Sequence, residues 1–261
     1  MSIPIGRKGQ IFTKKESAFG TAVALTATEA LRHIEVGFGF DPFNRVTSPE
    51  KKQTPGPAIR FDRKKTAELG SLVALLRPSA ALNTLPEVDP ILEAAIGSVV
   101  NVSLSTTVEA APSPTATGAT VASAGALAVG DAVAIEVTGQ TDPIGPFIRI
   151  LTVVATNALT WAPALPAAPA TGDDVKGGIT YKLTTDLAVS LTIAHYLDAT
   201  RKRALLGAAI DSLTLTFDAN EEPRVAAAGP AAEQITSTVA ALPAAFTTVG
   251  GNPPSGLIGQ F

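Results

Sequence analysis

The stretch 205–230, LLGAAIDSLTLTFDANEEPRVAAAGP, constrains this chain most. Leu213, Leu215 and Phe217 alternate strictly with Ser212, Thr214 and Thr216. Period two puts the first three on one face of a strand and the other three on the opposite face. Asp218-Ala219-Asn220 supplies turn chemistry, because short Asx side chains bond their own backbone. Pro223 cannot donate to a ladder, so it starts the next strand or lies on an edge. The unit is an antiparallel strand pair with one apolar face and one smooth, polar, almost uncharged face.

The chain has 261 residues, enough for one large or two small domains. Only 16% are charged, below the usual quarter or so. Residues 1–65 carry a balance of +6 and residues 66–261 one of −9. That asymmetry suits head-to-tail contact between copies, or a solvated basic arm. With no cysteine, disulfides, thiolate zinc sites and thiol catalysis are excluded together. The opening MSIPIGRKGQ lacks the apolar centre of a secretion signal, and no run of about 18 apolar residues is present to span a membrane. Synthesis and folding in a cytosol are expected.

Along the chain, 1–24 reads as an arm and Thr26-Ala-Thr-Glu29 as a capping box opening a helical turn. IEVGFGF at 34–40 alternates as a strand. Residues 41–59, with four prolines, read as a long contact loop. Strands are expected at 61–77 and 99–108. Between them, Asp89 as cap, Pro90 in the first turn and Gly97 at the end bound one short helix. From Glu109 the composition turns to short, charge-poor strands at 132–137, 147–154 and 157–161. Strands resume at 179–185, 188–196, 201–217 and 223–228, and 231–261 reads as an arm. No tandem repeat of roughly 20–50 residues is evident. The expected fold is mainly β: an antiparallel sandwich of 1–108 and 179–261 with one short helix, carrying a small β-barrel inserted at 109–178.

A search for chemistry finds no site. His33 and His195 read as core-edge histidines, and no zinc-type ligand spacing is present. Asp173-Asp174 and Glu221-Glu222 fall in turns and read as solvated. Gly37-Phe38-Gly39-Phe40 lacks the third glycine and the helix of a dinucleotide loop. Basic runs without interleaved aromatics, in an acidic chain, argue against sequence-specific nucleic-acid binding. The reading is therefore of a structural or interaction protein, with no catalytic, metal-ligating or cofactor-binding residue.

Three stretches together resemble the tail tube proteins of long-tailed bacteriophages: IGRKGQIFTKKESAFGTAVALTATEALRHIEVGFGFDP, the helix segment PEVDPILEAAIG, and LLGAAIDSLTLTFDANEEPRVAAAGPA. The piece from VGDAVAIEV to TGDDV looks like the extra β module that some of these proteins carry. The resemblance implies a virion protein, assembled in the host cytoplasm, whose six-fold rings stack into a tube. Its partners would be further copies, the tape measure protein in the lumen, and tail terminator and tip proteins. DNA would pass without specific binding, and no membrane insertion is implied. In that setting Ser190, Thr192, Ser212, Thr214, Thr216 and Asp218 are expected to line the lumen. Arg45, Lys51, Lys52, Arg60 and Arg63 are expected in an inter-ring contact loop, and the inserted module on the exterior. A minor tail or completion protein of the same fold, and a soluble β-sandwich binding module, are the alternatives.

Overall fold

The computed structural model describes residues 9–41, 45–47, 60–62, 66–77, 79, 84–139, 146–185, 189–218, 221–237 and 241–243. Strands in the first part are β1 (Gln10–Lys15), β2 (Ala30–Leu31), β3 (His33–Asp41), β4 (Arg45–Thr47), β5 (Arg60–Asp62) and β6 (Thr66–Leu75). Helix α1 (Asp89–Ile96) and β7 (Gly97–Asn101) follow. Then come β8 (Ser105–Thr107), β9 (Gly118–Thr120), β10 (Ala132–Ile135), β11 (Phe147–Ala155), β12 (Ala158–Ala162) and β13 (Asp174–Gly177). The last part holds β14 (Ile179–Leu183), β15 (Leu191–Tyr196), β16 (Lys202–Ala208), β17 (Ser212–Thr216), β18 (Arg224–Ala231) and β19 (Glu233–Ser237).

Two sheets make a sandwich. The first runs β19-β16-β15-β1-β2 and the second β17-β18-β6-β3, with neighbours antiparallel. Ile11, Leu191, Ile193 and Leu205 of the first sheet meet Leu69, Leu72, Val225 and Ala227 of the second. Helix α1 adds Ile91, Leu92 and Ala94 to the same core. Asp89 does not cap it. The N-cap is Val88, and the buried Asp89 carboxylate accepts the Tyr181 hydroxyl at 2.9 Å and lies 3.6 Å from the Lys15 ammonium. Gly97 ends the helix at φ +121°, where a Cβ would strike Thr184.

Several runs that read as single strands are split between sheets. The stretch 201–217 becomes β16 and β17 on opposite sheets, crossing over at Ala209–Asp211, whose N–H groups bond Pro230 O and Ala228 O. The stretch 99–108 divides into β7, which pairs with β14, and β8, which enters the inserted sheet. The loop at 41–59 holds strand structure, because β4 pairs antiparallel with β5. The supposed N-terminal arm contains β1, paired to β15 and β2 inside the first sheet, and part of the supposed C-terminal arm is β19, paired to β16. These segments satisfy backbone groups that a bare loop would leave to water. At 27–29 the capping box forms a 3₁₀ turn, with Thr26 N donating to Glu29 Oε2 at 2.6 Å.

The inserted module starts before Glu109. Its sheet runs β8-β13-β10-β11-β12-β9, and the outer strands join through the Val108–Val121 bridge. Glu109 N donates to Thr120 O at 2.8 Å and Ala122 N to Thr107 O at 3.0 Å, closing the barrel. Its core is separate and includes Val121, Ile135, Leu151, Leu159, Trp161 and Val175.

The barrel contains an internal repeat that the sequence reading missed. Exchanging β8 with β11, β9 with β12 and β10 with β13 maps the strand order onto itself. Ala128-Val129-Gly130-Asp131 corresponds to Ala170-Thr171-Gly172-Asp173, in sequence and in bonding. Asp131 Oδ2 accepts Ala128 N at 2.8 Å, and Asp173 Oδ2 accepts Ala170 N at 2.7 Å. Gly130 N donates to Leu151 O and Gly172 N to Val108 O. Leu151 N then returns to Asp131 O, and Val108 N to Asp173 O. Both glycines have positive φ, +87° and +92°.

Candidate functional surface

The outer face of the second sheet is the candidate surface. Cross-strand register aligns Ser212 with Ala228, Thr214 with Ala226 and Thr216 with Arg224. It continues from Ala226 to Val73 and from there to Glu35. Gly37 and Gly39 lie opposite Ser71 and Glu68. The GFGF motif thus places Phe38 and Phe40 on the core side and its glycines outside. The Glu68 side chain lies where a Cβ on Gly39 would stand, and Ser71 Oγ is 3.1 Å from one on Gly37. An open groove of about 540 Å³ runs over this face, lined by Thr66, Glu68, Gly70, Asp211, Ala228 and Pro230 among others.

The surface is small-featured and acidic. Glu35, Glu68, Asp211 and Asp218 are exposed. Glu35 accepts the Ser71 hydroxyl at 3.3 Å. The basic Arg224 reaches Glu221 at 2.9 Å, which offsets its charge. Ser212, Thr214, Thr216 and Asp218 are all exposed.

Ser190 and Thr192 belong elsewhere. They are 7% and 2% exposed, on the first sheet, and cannot line an open face of this subunit. Their hydroxyls donate to Glu16 Oε2 at 2.7 Å and Oε1 at 2.8 Å. The same carboxylate accepts Gly20 N at 2.8 Å and Gly207 N at 2.9 Å. Gly207, at φ +60°, forms a bulge where the β15–β16 register shifts, and this frees its N–H for Glu16. Burial works to raise the Glu16 pKa, but the Gly207 N–H and the two hydroxyls outweigh it and hold the carboxyl below its usual range. The segment after Glu16 folds back over the first sheet. There Leu25 packs with Phe12 and Tyr196, and Lys14 Nζ donates to Ala24 O at 3.1 Å.

Of the expected contact loop, Arg45 and Arg60 lie on the paired β4 and β5, while Lys51, Lys52 and Arg63 fall outside the described residues. His33 and His195 pack edge to face, 6.0 Å between ring centres, with Phe38 beside His195. Burial lowers both pKa values; His33 and Arg203 push His195 further down. Asp173 corrects another reading. It is buried in the barrel, accepting Thr138 N at 3.0 Å besides Ala170 N. Asp174 is the solvated member, paired with Lys176 at 2.8 Å. Among the described residues no three His, Cys, Asp or Glu side chains group as metal ligands would.

No protein-family model matches the chain, and no curated protein matches it in sequence.

Proposed function

We propose that this protein is a tube-forming structural subunit of a long phage tail, assembling as rings whose bore is lined by the outer face of the second sheet. One observation carries the reading: a bare, acidic, small-side-chain sheet face bounded by two open edges. Among the described residues, no strand occupies the free sides of β17 and β3. The four strands alternate in direction, so a rotated copy sets its β3 antiparallel to β17, and the pattern continues around a closed ring. Closure removes both edges.

The edges are chemically suited to it. Leu215 and Phe217 on one edge and Phe40 on the other are 42%, 46% and 41% exposed, although Leu215 and Phe40 sit opposite core residues in register. An acidic bore repels phosphate, so DNA slides through without binding. The tape measure protein would occupy the same lumen before ejection, and the β4–β5 ribbon would contact the next ring.

Electron microscopy of concentrated protein, with mass measurement in solution, tests this. Hollow rings or tubes, with the barrel on the outside, are expected. A monodisperse monomer at every concentration, even when seeded with tail tips, would overturn the proposal.

A further inference from the structure

The repeat within the barrel gives several solvent-facing positions a counterpart in the same backbone setting. In one half these positions are polar. Ser105 pairs with Lys176 and lies near Thr107, which pairs with Asp174. In the other half the counterparts are Ile148 paired with Ala134, and Ile150 paired with Ala132. At the matching turns Thr171 corresponds to Val129. All five changes run from polar to apolar. Ile148 and Ile150 are 62% and 44% exposed, and Val129 and Val153 are also exposed. Isolated apolar residues on a surface need no explanation, but five matched positions that all differ in the same sense do.

We infer that the β10–β11 face of the barrel is a contact surface for a second copy of this chain. This rests on the tube reading and extends it to the exterior. The closed barrel offers no edge for strand addition, so contact is through side chains. The face is aliphatic and has no charged residue at its four central positions, so it lacks the convergent polar groups that orient a small ligand. The four exposed aliphatics together offer roughly 350 Å², no more than the largest apolar patch of an ordinary monomer. A stable free interface buries roughly 800 Å² per partner. The face is therefore too small to hold a dimer in dilute solution. It suits a neighbour already held close by the ring and by ring stacking, where effective concentration is high.

The absence of native cysteine allows a clean test. Ile148→Cys and Ser105→Cys are made separately in the full chain, and thiol labelling rates are compared in dilute monomer and in assembled particles. Labelling at position 148 should slow at least about tenfold on assembly, with position 105 much less affected. The pair Ile148→Asp/Ile150→Asp should leave the monomer melt unchanged and make assembled particles dissociate at lower denaturant. Equal labelling of position 148 in monomer and particle would overturn the inference and leave the tube reading standing. Slow labelling already in the monomer would show that the chain covers its own face, and would also overturn it. Failure of the unsubstituted chain to assemble would overturn both readings.

Discussion

Two stretches of this protein share one sequence pattern and meet opposite fates. Ser190 and Thr192 alternate with apolar residues, as do Ser212, Thr214 and Thr216. The first pair is buried under the segment that follows β1 and bonded to Glu16. The second set faces solvent on the bare side of the other sheet. Alternation marks which residues share a face, but not what lies over that face. The difference comes from one carboxylate, Glu16, which is 174 residues from Ser190 in sequence and bonds it directly.

The covered side carries the largest expected effects. Glu16→Ala would strand two hydroxyls and two N–H groups, so it should cost about 3 kcal/mol in denaturant unfolding. A loss under about 1 kcal/mol would mean that the cover is not anchored there. Gly207→Ala comes next. Its Cβ would stand 2.8 Å from that of Ala232 at φ +60°, and about 2 kcal/mol should be lost. The bare face predicts the contrary: Ser212→Ala, Thr214→Ala and Thr216→Ala should each stay within about 0.5 kcal/mol. Glu35→Lys/Glu68→Lys should likewise fold normally, while making assembled particles retain DNA in a salt-dependent way.

Acid sharpens the contrast. Lys14 and Thr26 bond Glu29 and hold its pKa at about 2 against an ordinary 4.5, despite burial. A depressed carboxylate stabilises the fold above its unfolded value, so this contribution is lost as pH falls from 4.5 toward 2. Glu29→Gln should flatten the stability profile in that window. The histidine pair acts higher. Both members are held below 6.5, so the native state binds fewer protons, and stability should begin to fall as pH drops through 6.5. That fall should disappear in His33→Phe/His195→Phe, followed by melting temperature.

Much of the secondary structure was legible because its signals are local. The alternation of 34–40, the turn residues around the short helix and the change in composition after Glu109 all report on neighbours in sequence. Crossovers were not legible. Nothing near Ala209 marks that the chain leaves one sheet for the other, because residues 204–210 form one continuous apolar run that leads straight into the alternating residues of β17. The repeat was detectable in principle as AVGDAV and ATGDDV, separated by 42 positions. The surrounding strands have diverged so far on their outer faces that only the turn chemistry still matches.

The amino-acid sequence by itself determined a mainly antiparallel β preference, one short helix, an inserted β module and the absence of thiol chemistry. Each follows from period, capping and composition, which act over a few residues. Only the tertiary structure decided which polar face is sealed and which is bare, that Asp89 serves Tyr181 and Lys15 and not the helix end, and that the module closes as a two-fold barrel. Those outcomes depend on contacts between distant segments, where a buried carboxylate must collect its donors from whichever strands the topology brings to it.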